Sequence, residues 1–565
     1  MSLDASLLMD ERVRLALEAH QADDGTGPEI IQKTIAETWV SSFIYQLFVE
    51  DVALRQSVID FVCKYRPGHN PRLGSPYRFG SYNFIIEVIF DDGTALFRFP
   101  IPGVVVYPDD KVTVEVATIR YIAEHTTIPV PHVYHWGTAG ENPTGLDVPF
   151  IIMNYIPHAT TVARALEDPD FTISSVPESE KREYLFQQMA EVSLQLYALT
   201  SDRIGSLGIL DNGEYAVPSG PLTHNIAYQV VNCGVPVAVL PPRARTYSSS
   251  TEYLGDAMAI ELAGLLFVSE TFVRSASDYR DRFAARCLLR DIVRRRGQES
   301  TGAPDQPGRP AGDSRTGQPG ETFRLWGDDL RPENVLLDEN GVVVGVVDWE
   351  YTYFAPETYL LNPPWWLLLS ALEGGSGEDR EPGIPGQEES SPDTGTTGDE
   401  QDDDKFEAQW DELVRTYLRA MEKAEEKLRG TGQVQPLGHH LYYGPSRDRV
   451  AAAPIAQQPP LSHLIRHRWD EDMKEHALTT CIVQDFLMDR LFWVYVDEPY
   501  LGDNTVGGHE GRLAVLNAPS RMLMDWFVSR RVEESAAWDP KALLDQVLEQ
   551  MDGKSAVLAI QDSSR

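Results

Sequence analysis

Cysteine is scarce in this chain of 565 residues: Cys63, Cys233, Cys287 and Cys481 lie far apart and form no C-x-x-C pair. That argues against a disulfide framework or structural zinc site and fits a reducing interior. Positive charge is also short. Lys and Arg number 49 against 86 Asp and Glu, a formal net charge of −37, and such a field repels nucleic acid and anionic lipid. No apolar run approaches a membrane span, and the start, Met1-Ser-Leu-Asp-Ala-Ser, lacks the basic region and apolar core of a signal peptide. No internal repeat is evident. The expectation is a soluble, intracellular, cytoplasmic protein without nucleic-acid or membrane partners.

With 42% hydrophobic residues the chain can bury a large core, as several domains or as one two-lobed domain with insertions. Part of the acidity is local. Residues 373–404 hold twelve acidic residues and one basic residue, Arg380, among Gly, Pro, Ser and Thr, and are expected to be a disordered loop. Residues 297–321, rich in Gly and Pro, read as a second disordered insertion, with Arg294-Arg-Arg296 as a helix C-terminal cap before it. Apolar residues at helical spacing place helices over about 11–65, 180–199, 252–273, 406–421 and 481–495. His463 and His467, four apart with no H-E-x-x-H around them, read as ordinary helix residues.

Strand signals concentrate in two places. Apolar runs at 85–90 and 95–99 flank Asp91-Asp92-Gly93-Thr94, and runs at 335–337 and 342–347 flank Asn340-Gly341, so each pair reads as a hairpin. Folding the second about its turn brings Asn334 within a residue or so of the position opposite Asp348, where two oxygen ligands can share one hard cation with substrate phosphates, and Asp329 lies beside them. Asp329 and Asn334 have the D-x-x-x-x-N spacing of a kinase catalytic loop. After the first hairpin, Val112, Val116, Ile119 and Ile122 recur at helical spacing, and Glu115 falls on the same face, where an inward carboxylate needs a partner.

The segment Gly327-Asp-Asp-Leu-Arg-Pro-Glu-Asn334, with Asp348 closing the following strand, resembles the H-x-D-L-x-P-x-N loop of the aminoglycoside phosphotransferase and choline kinase-like family, especially its fungal branch. Gly327 stands in place of the histidine, which in that family mainly scaffolds the loop. The resemblance implies an ATP-dependent phosphotransferase using Mg²⁺. Asp329 would be the catalytic base, Asn334 and Asp348 the metal ligands, and Arg98 would replace the lysine on the nucleotide phosphates. Glu115 is then the expected partner of Arg98, although a solvent-facing Arg98 is the alternative. Ser81 and Asn83, in a turn with one glycine, correspond to the nucleotide-covering turn, and the backbone of Asn154, Tyr155 and Ile156 to the hinge that receives adenine. Asn362-Pro-Pro-Trp-Trp366 also resembles the fungal branch. Ala355-Pro356-Glu357 copies a protein-kinase tripeptide, but it follows Asp348 too closely to leave room for an activation segment.

The implied fold is α+β and two-lobed, protein-kinase-like, with a small, mostly β N-lobe and a large helical C-lobe. Its expected parts are a helical leader at 1–69, an N-lobe at 70–157 ending in the hinge, a C-lobe at 158–372, the acidic loop at 373–405, C-terminal helices at 406–550 and a tail at 551–565. Two functions stand open: phosphoryl transfer from ATP to a small-molecule hydroxyl, or a nucleotide-binding pseudokinase or scaffold without turnover. The intact Asp329, Asn334 and Asp348 favour the first, whereas Gly327, Arg98 and the sparse glycine turn favour the second.

Overall fold

The computed structural model describes residues 43, 51–74, 78–80, 82–231, 233–267, 275–301, 321–373, 400–430, 440–441 and 459–535. Its N-terminal part is built on an antiparallel sheet of β1 (Arg72–Leu73), β2 (Arg78–Phe79), β3 (Asn83–Phe90), β4 (Gly93–Pro100), β5 (Val133–Gly137) and β6 (Phe150–Asn154), in the order β1-β3-β4-β6-β5 with β2 also on β3. Period-two alternation explains the inner face. Phe84, Ile86, Val88 and Phe90 of β3 and Ala95, Phe97 and Phe99 of β4 are all buried. Phe61, from the Val52–Tyr65 helix, closes this core, its ring 5.0 Å from Phe150 and 6.3 Å from Phe97. The chain reverses between β3 and β4 over Asp91 and Asp92, and Gly93, at φ +139°, takes the backbone angle that a side chain would disfavour.

The Pro108–His125 helix joins the two lobes. Pro begins it, and Asp109 and Asp110 sit in its first turn, where the helix dipole favours negative charge. Val112, Val116, Ile119 and Ile122 point into the large C-terminal core rather than the N-terminal one. Helices dominate that second lobe. Aromatic side chains bind three of them, with Phe186 of the Glu178–Tyr197 helix 5.4 Å from Trp366, and Trp366 5.8 Å from Tyr417 of the Glu400–Gly430 helix. Two sheets are set among the helices. One has the order β10-β9-β14-β11-β8-β15: β8 is Thr200–Ser201, β9 Gly205–Ile209, β10 Tyr215–Ser219, β11 Phe323–Gly327, β14 Thr352–Pro356 and β15 His440–Leu441. The other, β13-β12-β7, joins Val343–Val346, Val335–Leu337 and Thr160–Thr161. The architecture is thus α+β, sheet-rich toward the N-terminus and helical toward the C-terminus.

Several expected boundaries move. The Ala276–Thr301 helix runs through Arg294-Arg-Arg296 into the supposed insertion, so these arginines do not cap its end; Arg296 instead reaches Glu475 at 2.6 Å. Residues 302–320 lie outside the described residues, as do 374–399, most of the leader and the tail. The end of the acidic run, 400–404, begins the next helix instead of preceding it. The stripe at 481–495 is not one helix. The Met473–Val483 helix stops before Gln484, the Asp485–Leu491 helix follows, and a π turn occupies Phe492–Val496. The helix expected over 252–273 is seen as Ser250–Phe267, and 268–273 lie outside the described residues. Among the described residues no helix is long and apolar enough to cross a membrane.

Phe97 is fully buried, with Phe61, Phe99 and Phe150 around it. Phe97→Ala should cost about 3–5 kcal/mol, read as a lower midpoint in urea unfolding. A loss under about 1 kcal/mol would show that this cluster is not the centre of the N-terminal core.

Candidate active site

β11 delivers the chain into a short loop whose backbone is closed by its own hydrogen bonds. Leu330 N–H donates to the Gly327 carbonyl at 3.2 Å, and Asn334 N–H donates to that of Arg331 at 3.0 Å. Beyond it, Val335 pairs with Val346, and Gly341, at φ +72°, makes the turn between β12 and β13. Val347 N–H then donates to the Asn334 carbonyl at 2.9 Å, which puts Asn334 beside the residue preceding Asp348. Glu357, in the tripeptide after β14, accepts from Arg324 of β11 at 2.6 Å and from the Tyr197 hydroxyl at 2.8 Å, anchoring the strand that carries the loop.

The amide of Asn334 donates to the Asp329 carbonyl at 2.8 Å and to its carboxylate at 3.2 Å. The Arg331 guanidinium lies 3.1 Å from the same carboxylate. Burial outweighs the pull of Arg331 and, with Glu350 adding negative charge, pushes the Asp329 carboxyl up to about 6. Asp348 has φ +63°, a left-handed angle uncommon for residues with a side chain, though aspartate tolerates it better than most. Arg98 donates to its carboxylate at 2.5 Å. Although 31% of the Asp348 side chain meets solvent, burial and the nearby Glu350 carboxylate push it up to about 7 against the opposing pull of Arg98.

Arg98 faces inward. Its guanidinium contacts Glu115 on the Pro108–His125 helix, Asp348, and Glu350 at 3.1 Å. Burial works against the charged guanidinium, but the three carboxylates prevail and raise its pKa. The solvent-facing alternative for this arginine is therefore excluded.

Two neighbours escaped the sequence reading. Lys111, one helical turn before Glu115, is 1% exposed and donates to Glu350 and, at 2.9 Å, to the Asn83 side-chain oxygen. A lysine four residues from a glutamate ordinarily reads as a surface pair, so its burial left no local signal. Glu350, two residues past Asp348, was given no role. The Asn83 amide donates to Glu350 at 2.8 Å, so its side chain joins this cluster. Ser81 lies outside the described residues.

The hinge also narrows. Asn154 N–H donates to the His132 carbonyl at 3.1 Å and Tyr155 N–H to that of Thr94 at 2.9 Å. His158 bonds the Ile156 carbonyl at 2.8 Å. Of the three hinge amides, the Ile156 N–H alone has no protein acceptor among the described residues.

Asp328 was not singled out in the sequence, and it holds the loop from behind. Its carboxylate accepts from His224 N–H at 2.9 Å and from the Trp326 indole at 2.5 Å. The His224 ring reaches the Tyr82 hydroxyl at 3.3 Å, linking this anchor to the N-terminal sheet. Burial outweighs these donors and pushes the Asp328 carboxyl up to about 7. Asp328 also lines a cavity with Tyr107, Leu222, Tyr253 and Glu261.

Among the described residues no group of three or more His, Cys, Asp and Glu side chains forms a metal cage. Magnesium held by one or two side chains and by phosphates needs none. Asp348 and the side-chain oxygen of Asn334 are the oxygen donors such an ion takes. The raised carboxyls of Asp329 and Asp348 reflect burial first and neighbouring carboxylates second, and a divalent cation at the site would favour their charged forms. The donor set fits.

No family model matches the chain, and no curated protein matches it. Among solved structures it is similar to the aminoglycoside phosphotransferase APH(4)-Ia, at 14% identity over 77% of this chain and 99% of that one, with a TM-score of 0.33. It is also similar to a macrolide 2'-phosphotransferase type I (13%, 78% and 93%, TM-score 0.32) and to an ethanolamine kinase of Plasmodium vivax (12%, 74% and 81%, TM-score 0.28). Superposition this loose carries no argument about activity, which has to be read from the residues.

Asp328 gives a test in pH. Its folded pKa lies above the ordinary carboxylate value, so the stability tied to its proton is complete below pH 4 and is lost as pH rises through about 7. Asp328→Asn removes this titration. Its stability relative to the parent should therefore improve by a few kcal/mol, at most ~4, between pH 4 and 8 in urea unfolding. A parent-minus-variant difference that does not change with pH would show that Asp328 is ionised throughout.

Proposed function

We propose that the chain is an ATP-dependent phosphotransferase, of the aminoglycoside phosphotransferase-like type and its fungal branch, that transfers the γ-phosphate to a hydroxyl of a small molecule. The observation that carries the reading is the meeting of Asp329, Asn334 and Asp348 with the Arg98–Glu115 pair between the two lobes. Asp329 accepts the proton of the acceptor hydroxyl. A carboxyl pushed up to about 6 is a better base than an ordinary aspartate and is still ionised at neutral pH. Asn334 fixes its orientation through two hydrogen bonds.

Asp348 and Asn334 hold Mg²⁺, and Arg98, braced by Glu115, takes the nucleotide phosphates while Ile156 N–H meets the adenine edge. Mg·ATP, when bound, supplies the transferable phosphoryl group with part of its charge neutralised. Since such transfer is mostly positioning and charge stabilisation, these few groups suffice. A soluble, cytoplasmic setting belongs to this proposal, and four free cysteines suit a reducing compartment.

One observation favours the second reading, a nucleotide-binding protein without turnover. Arg98 already faces three carboxylates, and one of them, Asp348, has to share its charge between the guanidinium and a metal. Turnover separates the two readings. Asp329→Asn should bind Mg·ATP like the parent and lose at least about a hundredfold in ATP turnover. The parent rate should fall as pH drops through about 6, where Asp329 takes up its proton. A parent that binds nucleotide but hydrolyses none, with or without added alcohols, would leave the second reading standing.

The metal gives a separate test. Asp348→Asn should weaken Mg·ATP binding about tenfold or more in calorimetry while leaving Mg-free nucleotide binding little changed. Because Asp348 carries a proton below about pH 7, parental Mg²⁺ affinity should also fall as pH drops from 8 to 6. Equal Mg·ATP affinity in the folded variant would remove Asp348 from the metal site.

A further inference from the structure

Lys111 is the cation that neither the motif nor the proposed chemistry uses. Its ammonium is buried at the start of the Pro108–His125 helix and meets one carboxylate oxygen of Glu350. That same oxygen accepts from the Asn83 amide at 2.8 Å and from Arg98 at 3.1 Å. Three donors from three elements thus converge on one atom: the first residue of β3, the sixth of β4, and the helix that also carries Glu115.

The charges show what Lys111 does. Glu115, Asp348 and Glu350 set three carboxyl groups against the two cations Arg98 and Lys111. Remove Lys111, and Arg98 alone faces the buried carboxylates of Glu115 and Glu350 and the partly exposed Asp348. An unpaired buried carboxylate draws the nearest cation toward it, and for Glu350 that cation is Arg98. The guanidinium would then turn toward Glu350 and away from the side where a phosphate can approach. Lys111 also bonds Asn83 at 2.9 Å, which ties the strand beside the nucleotide-covering turn to the segment bearing Asp348.

We propose that Lys111 is a positioning residue for nucleotide binding: by neutralising Glu350 it leaves Arg98 to Glu115 and to the nucleotide phosphates. This rests on the phosphotransferase reading of the site and adds to it a buried cation that touches no substrate. Its role is to divide charge. The ion pair therefore matters to affinity through Arg98, and removing both of its members should hurt less than removing one.

The test is a double-mutant cycle on the full chain, with nucleotide affinity measured by calorimetry using ADP and Mg·ATP and the fold followed by thermal unfolding. Lys111→Met should weaken nucleotide binding about tenfold or more, because Glu350 is left to compete for Arg98. Lys111→Met combined with Glu350→Gln should recover affinity to within about threefold of Glu350→Gln alone. A purely structural lysine would lower thermal stability in both backgrounds and leave affinity unlinked to Glu350. If Lys111→Met does not fold, the comparison of Glu350→Gln with the double variant decides, and a tenfold loss there overturns the proposal. A parent that binds nucleotide and a Lys111→Met variant that binds it equally well removes this inference and leaves the phosphotransferase reading intact. A parent that binds no nucleotide removes both.

Discussion

Charge sharing around the Arg98 guanidinium is the constraint on which the rest of the cleft depends. A buried ion left without a partner costs several kcal/mol, so every carboxylate that points into this interior has to be answered from another element. Glu115 comes from a helix, Asp348 and Glu350 from the segment after β13, and Arg98 from β4. The lobes are therefore joined by charge as well as by the apolar face of the Pro108–His125 helix. That helix takes part in both ties: Val112 and Val116 pack into the C-terminal core, while Lys111 and Glu115 turn to the ion cluster.

The same crowding prepares the groups for chemistry. Asp329 and Asp348 sit where burial and neighbouring negative charge raise their proton affinity, as the proposed base and metal ligand require. Asp328 plays a different part. It gathers the His224 backbone N–H and the Trp326 indole behind the loop and so supplies an anchor at a place where Gly327 offers no side chain.

Much of this was legible in the residues. The β3–β4 and β12–β13 hairpins follow from alternating apolar runs around Asp-Gly and Asn-Gly turns, and their registers bring Asn334 next to the Asp348 segment. The inward position of Glu115 follows from its place on an apolar stripe. Less was legible where local patterns are ambiguous. The 481–495 stripe kept helical spacing across a break at Gln484, and the loop-like composition after 297 did not stop a helix that runs through Thr301. At both places the local pattern misjudged where a helix stops.

The sequence by itself determined the hairpins, the spacing of Asp329 and Asn334, the lack of long apolar helices and the acid-rich balance, because each depends on residues within a few positions of one another. Only the tertiary structure decided which buried groups meet. Lys111 and Glu350 are 239 positions apart, Asn83 and Glu350 are 267 apart, and His224 and Asp328 are 104 apart. No period or turn signal links positions so distant. A lysine on a helix carries the same local signature whether it ends in water or on a buried carboxylate, and what separates the two outcomes is the low-dielectric interior assembled when the lobes close.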